Sequence, residues 1–334
     1  MASSAGVMTT GGVFSQAVSA SVRALWDLGV KDVSSRLYGN ELFTTFEPKA
    51  KSQQIANISG PAYGVLTQEG QEYGENSLYK GYAVTVSLRK FTSKLSWTEE
   101  DVYFIAKQKE SGVKDFFTFS NPVTHAMNAL IGSMNLDLAK IFYLGFGTTN
   151  FTGGDAVALF SNSHPIRRDG STSGNMFAST HDALSVDAVK GALDRMNRAK
   201  DNNGVQFAPV KRFRIVVPVE LEAKAWQILD SMYGPSANLG LSLTSPSIMD
   251  KRGIPDRGVT VLPDIPSSYS TYWFIVDLDR AALMNFKAQA WGPRMDDFTH
   301  VESGVHTNNA SVLLQHVPIH WAHVFGSKGD ASAV

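Results

Sequence analysis

The residues Ser161, Asn162, Ser163, His164 and Pro165 fall together in LFSNSHP, residues 159–165, with Asp155 a few positions upstream. Read as a fragment of a triad, this stretch offers Ser161 or Ser163 as a nucleophile and His164 as its base. That chemistry needs a G-x-S-x-G-like turn between a strand and a helix, which exposes the hydroxyl and aims backbone amides at an oxyanion. Neither glycine is present, and the segment that follows, IRRDGSTSGN, is polar with no helical pattern. The alternative is a structural turn in which Asn162 and the serines bond backbone groups, Pro165 fixes the exit and His164 is a hydrogen-bonding partner.

Histidines are the second source of possible chemistry, because five of the eight fall late, at His300, His306, His316, His320 and His323. The segment SVLLQHVPIHWAHVF reads as strand. On a strand His316 and His320 share a face but stand ~13 Å apart at ~3.3 Å per residue, too far to chelate one ion, and His323 points the other way. Hydrogen-bonded or solvated histidines are therefore expected, with no metal. The chain has no cysteine, which removes thiolate zinc sites, disulfides and cysteine nucleophiles together. Neither a P-loop nor a strand-linked G-x-G-x-x-G occurs, so no cofactor is expected, and Gly153-Gly154 reads as a flexible joint.

Composition sets the wider bounds. The chain has 334 residues, 43% of them hydrophobic, enough for a large core. Thirty Lys and Arg against thirty-one Asp and Glu leave a formal charge of -1, which gives no global electrostatic case for a nucleic-acid binder and leaves only local patches. No stretch approaches the ~20 apolar residues of a membrane span, and the N-terminus lacks the pattern of a signal peptide, so a cytoplasm-like site of synthesis without membrane contact is expected.

The elements that would position these residues are legible in outline. Residues 1 to about 20 are too poor in apolar groups to order alone; Phe14, Leu25 and Trp26 suit a segment that orders on a partner. Residues 55–97 read as a two-stranded ribbon with an acidic tip carrying Glu69, Glu72 and Glu75, a return strand in which Tyr82, Val84, Val86 and Leu88 alternate with polar or small residues, and Tyr79 and Lys80 near the tip. A two-stranded ribbon is marginal in water and wants a surface to lie on. Ser96 and Glu99 fit the capping box of a helix. A longer helix is expected from 121 to 144, with an apolar stripe through Met127, Leu130, Met134, Leu138 and Ile141. From 185 short helices and strands alternate: an amphipathic helix on Val186, Val189, Leu193 and Met196, a buried strand FRIVVPV, a helix ELEAKAWQILDSMYG, and strands GVTVLPDI and TYWFIVDL. Residues 236–258 read as a long polar loop.

The order of these pieces, with FTSKLSWTEED, LAKIFYLGF, ALFSNSHP, ALSVDAVKGALDRM, IVVPVELEAKAWQIL, YWFIVDLDRAALMNF and GSKGD, resembles the major capsid proteins of tailed phages, and within them the major head subunit of Mu-like phages. The resemblance covers roughly residues 35–327. It implies an α+β, Hong-Kong-97-type capsid fold: an N-terminal arm over 1–54, an extended loop over 55–95, a peripheral domain over 96–184 and 291–334 with its spine helix at 121–144, and an axial domain over 185–290. It implies no enzyme. Instead it implies a subunit that self-assembles as hexamers and pentamers into an icosahedral shell in a virion, with a portal, and scaffolding or decoration proteins if any are used. Double-stranded DNA would be enclosed by weak, non-specific contact. Contacts between subunits would run through the ribbon residues Glu69, Glu72, Glu75, Tyr79, Lys80 and Tyr82 and the arm residues Phe14, Leu25 and Trp26. Leu239, Ser247, Asp250, Lys251 and Arg252 would lie in a loop at the capsomer axis. No scaffolding-type helical segment precedes residue 35, so any scaffold is expected to be a separate protein. The alternatives are an encapsulin-like compartment and, more distantly, the serine hydrolase.

Overall fold

The computed structural model describes residues 37–59, 79–98, 120–148, 154–166, 170–233, 257–300 and 305–332. The first half of the chain contributes β1 (Thr44–Phe46), β2 (Ser52–Ser59), β3 (Tyr79–Ser87), β4 (Arg89–Thr98), helix α1 (Ser120–Tyr143), and the short strands β5 (His164–Pro165) and β6 (Thr172–Ser173). The second half contributes α2 (Val186–Arg198), β7 (Phe213–Val217), α3 (Glu222–Tyr233), β8 (Arg257–Val261), β9 (Trp273–Asp277), α4 (Leu278–Met284), β10 (Asn285–His300), β11 (Val305–Pro318) and β12 (Val324–Ser327). No helix among the described residues is long and apolar enough to cross a membrane.

The chain forms two compact units. The larger comprises Tyr38–Leu88, Asn135–Gln289 and Gln315–Val334; the smaller includes Arg89–Met134 and Ala290–Leu314. The center of the larger unit is a sheet in the order β12-β9-β7-β8, parallel between β7 and β8 and antiparallel elsewhere. FRIVV does not alternate because both faces of this sheet are covered. Phe213, Ile215 and Val217 point with Trp273, Ile275 and Phe325 into a core closed by Val189, Leu193 and Met196 of α2 and by Ile228 and Leu229 of α3. Val216, Phe274, Val276 and Val324 face a second core built on Leu138, Ile141 and Phe142 of α1, with Phe160 and Trp321. Helix α2 starts where the sequence suggests, at Ser185, whose hydroxyl accepts from Ala188 N at 3.1 Å.

Helix α1 has the expected stripe, one residue earlier at each end than expected, and its 24 residues span ~36 Å. In the smaller unit its first half packs Met127, Leu130, Ile131 and Met134 against Met295, Val312 and Leu314. There β4 pairs antiparallel with β11 from Arg89↔Leu314 to Thr98↔Val305.

Three expectations need correction. The return strand of the ribbon ends at Ser87: β3 pairs with β2 in a sheet of two strands, with a register shift between Ala56 and Ile58, whereas β4 belongs to a different sheet of order β1-β10-β11-β4. The break is at Leu88, which is buried and donates its N–H to Lys51 O. Ser96 lies inside β4 opposite Thr307, so it cannot cap a helix there, and residues 99–119 are outside the described residues. The C-terminal segment is not continuous strand, because after Pro318 a 3-10 turn, Trp321–His323, separates β11 from β12.

Candidate functional site

The segments 154–166 and 170–177 are built into the larger unit as a polar junction between α1, β3 and the C-terminal strands. Gly154 is a close-approach position, not a joint: a Cβ there would stand 2.6 Å from Ala83 O. The next residue turns its carboxylate inward, where Asp155 Oδ1 accepts from Val157 N at 3.2 Å and Oδ2 meets His164 Nδ1 at 2.7 Å. Burial opposes the Asp155 charge, but the His164 hydrogen bond and charge outweigh it and hold the carboxyl below the usual range. The other ring nitrogen, His164 Nε2, faces Leu159 O at 3.3 Å, and the imidazole lies flat on Trp321 with ring centroids 4.7 Å apart.

An aspartate–histidine pair therefore exists, without a nucleophile beside it among the described residues. Both imidazole nitrogens already face acceptors, and His164 is 1% exposed, so no hydroxyl can hand it a proton and no substrate can reach it. The serines are spent locally: Ser161 Oγ and Ser163 Oγ are 2.9 Å apart, and Ser161 Oγ accepts from Ser163 N at 3.1 Å. Asn162 donates to Phe177 O at 2.5 Å and accepts from Arg195 Nη2 at 3.1 Å, which ties the turn to α2. His164 and Pro165 then pair with Ser173 and Thr172 as a two-residue hairpin.

Four residues that the sequence reading did not single out complete the junction. Asn175 donates to Leu159 O at 2.8 Å and to Trp321 O at 3.3 Å, and its own carbonyl accepts from Gly326 N at 3.0 Å. Phe160, adjoining the serine turn, is held at its edges by two glycines: a Cβ on Gly145 would stand 2.8 Å from Cε2, and one on Gly326 would stand 2.6 Å from Cδ1. Arg280 donates to three carbonyls, from Met196 at 3.0 Å, Ala322 at 3.0 Å and Ala208 at 2.7 Å, and its Nε lies 3.0 Å from Asp277 Oδ2. Asp277 in turn caps α4 through Asp279 N and Arg280 N. Burial pushes the Asp277 carboxyl up to about 6, against the pull of Arg280 and the two N–H groups.

The late histidines part company at Pro318. His316 pairs with Asp137 of α1 at 3.0 Å, while the 3-10 turn folds His320 and His323 together. Ala322 N donates to His320 Nδ1 at 3.1 Å, and His323 Nδ1 lies 2.5 Å from His320 O. Burial lowers His320 to about 3, with His164, His323 and Arg280 adding repulsion, and lowers His323 to about 4. Among the described residues no three His, Asp or Glu side chains gather to hold a metal ion.

The other positions marked in the sequence are scattered. Tyr79 and Lys80 begin β3 opposite Ser59 and Ile58, and Tyr82 is half-buried farther along the strand. Phe14, Leu25, Trp26, Glu69, Glu72, Glu75, Leu239, Ser247, Asp250, Lys251 and Arg252 lie outside the described residues.

Solved structures share this architecture. The chain aligns with the capsid structure of the cyanophage P-SCSP1u at 10% identity and a TM-score of 0.52, covering 85% of each chain. It aligns with the mature capsid of bacteriophage PhiM1 at 8% identity and a TM-score of 0.51, covering 85% of this chain and 83% of that one. The fold is the Hong-Kong-97-type capsid fold. A virus-like particle from Pyrococcus furiosus aligns at 10% identity and a TM-score of 0.49, over 92% of this chain and 97% of that one. No protein-family model matches the chain, and no curated protein matches it. Within this fold the closed Asp155–His164 junction is a fastener, holding the turn after α1 to the strands that end the chain.

Proposed function

We propose that this chain is a structural shell subunit, the major capsid protein of a tailed phage or prophage, of the type found in the heads of Mu-like phages. The observation that carries the proposal is the capsid fold matched over 85% of the chain, together with a ribbon, β2–β3, that among the described residues forms a sheet of two strands. Two strands are marginal in water without a further surface, and a neighbouring subunit supplies one. On this reading the chain is not an enzyme; it acts through geometry, offering ribbon and arm to its neighbours in pentamers and hexamers around double-stranded DNA. Interfaces of ~1,600 Å² repeated over a closed surface give cooperative assembly without any single strong bond. The arm is 1–54 and the extended loop 55–95; the peripheral domain is 96–184 with 291–334, and the axial domain is 185–290. The loop 236–258 lies at the capsomer axis. The assembled location is the virion, with a portal at one vertex.

Deleting residues 67–80 tests the role of the ribbon. The shortened chain is expected to remain a folded, helix-containing monomer by circular dichroism and to yield no shells by sedimentation. Normal shells from the deletion would refute the contact assigned to the ribbon.

A further inference from the structure

One segment of the larger unit carries cations that no ion pair among the described residues neutralises. In the twenty residues 195–214 there are six basic side chains and one acidic, in a chain whose Lys and Arg otherwise fall short of its Asp and Glu. The acid, Asp201, is spent inward: its carboxylate accepts from Asn203 N at 2.9 Å and Val205 N at 2.8 Å. Three of the six cations have partners. Arg195 is bonded to Asn162, Arg212 lies 3.4 Å from Asp279, and Arg214 lies 3.8 Å from Glu41. Arg198, Lys200 and Lys211 are exposed and form no ion pair among the described residues. The nearest further carboxylate in sequence is Asp194, exposed one turn back on α2.

These three are held together by a fixed backbone. Phe207 N donates to Ala199 O at 3.1 Å, Lys200 bridges to Gln206, and Val210 N donates to Asn197 Oδ1 at 2.8 Å, so the segment carrying Arg198 and Lys200 is tied to the one that leads into Lys211. The buried Arg280 bonds both limbs, at Met196 O and Ala208 O. The backbone that carries the cations is therefore fixed, while their exposed side chains remain free to reach a ligand.

We infer that Arg198, Lys200 and Lys211 form a contact surface for the phosphate backbone of double-stranded DNA. Point charges without hydrogen-bonding pockets recognise backbone and not base sequence, so the contact is non-specific and salt-dependent. The inference rests on the shell reading for its biological setting, but the binding can be measured without it. A single subunit makes three phosphate contacts, giving a weak site that gains strength only when many subunits face one molecule of DNA.

The test is a fluorescence-anisotropy titration of the full-length chain against fluorescein-labelled duplexes of two unrelated sequences across a potassium chloride series. Both duplexes are expected to bind alike. The variant R198Q/K200Q/K211Q is expected to lower the steepness of log K against log salt by about 2.7, or about 0.9 for each contact removed. A control variant, K49Q/K51Q/K90Q, removes three exposed cations elsewhere and is expected to leave the slope unchanged. An unchanged slope in the patch variant would overturn the inference, as would an equal fall in the control. Loss of shells with DNA binding intact would also overturn it, by marking the patch as a contact between subunits. If the unaltered chain forms no shells, the shell reading fails, while the slopes still decide this one.

Discussion

Replacing Gly326 with alanine probes how tightly the junction is packed. The added Cβ would stand 2.6 Å from Phe160 Cδ1, 2.8 Å from Cε1 and 2.9 Å from Cγ, where carbon atoms rest comfortably at about 3.5–4.0 Å. The ring would have to move by roughly 1 Å, and its surroundings resist that. Its far edge meets Gly145, Phe274 stacks at 5.2 Å and Phe146 at 4.7 Å, and the Gly326 backbone is fixed by its bond to Asn175 O. Overpacking of this kind costs about 1–3 kcal/mol, and a ring confined at both edges puts Gly326→Ala near the top of that range. Urea unfolding of the disassembled subunit measures it as a lower midpoint at unchanged slope. Phe160→Leu removes the obstructing ring atoms at its own cavity cost, so Gly326→Ala should cost markedly less in that background, with a coupling of about 1 kcal/mol or more. A Gly326→Ala variant within about 0.5 kcal/mol of the parent, or strict additivity with Phe160→Leu, would refute the packing argument.

Two other perturbations bear on the same junction. His320 and His323 titrate near 3 and 4 when folded and near 6.5 when unfolded, so between about pH 6 and pH 4.5 the unfolded chain binds two protons that the folded one does not. Their contribution is complete above 6.5 and is lost as pH falls; Asp277, raised to about 6, acts in the opposite sense and cancels about one proton. The net expectation is stability that rises by ~1.4 kcal/mol per pH unit across that window, with His323→Asn lowering that slope by about one proton; urea midpoints that stay flat or improve on acidification would contradict it. Arg280→Met strips the cation from Asp277 Oδ2, leaving only the backbone N–H bonds at Oδ1, and takes the donors from three carbonyls; it should cost about 3–5 kcal/mol, partly recovered by Asp277→Asn, whereas a cost under ~1 kcal/mol would remove Arg280 from its central place.

Much of this fold could be read from local pattern. The stripe on α1, the amphipathic face of α2, the largely apolar run of β7 and the alternation of β3 each carry a period or residue type that belongs to one kind of element. What escaped depends on distant partners. Helix α4 follows β9 with no linker, and Asp277 serves both as the last strand residue and as the cap, so TYWFIVDL reads as strand to its end. The 16-residue β10 contains Gly292-Pro293, which locally reads as a break. The strand rise that separates His316 from His320 holds only as far as Pro318, where the chain turns and brings His320 and His323 together. Asp155, His164 and Ser163 are close in sequence and look alike in any loop; only Leu159 O, Asn175 and Trp321 decide that the histidine is enclosed and the serine idle. Gly154 and Gly326 are required by a carbonyl and a ring far away in the chain, a need that no neighbouring residue signals.

Electron microscopy of the purified full-length chain tests the central claim most directly. The account predicts closed, icosahedral shells built of pentamers and hexamers, in which β2–β3 of one subunit lies against another. Shells filled with a protein cargo and no DNA would move the chain to an encapsulin-like compartment. A monomer at all concentrations and salts, with no ordered particles, would contradict the account.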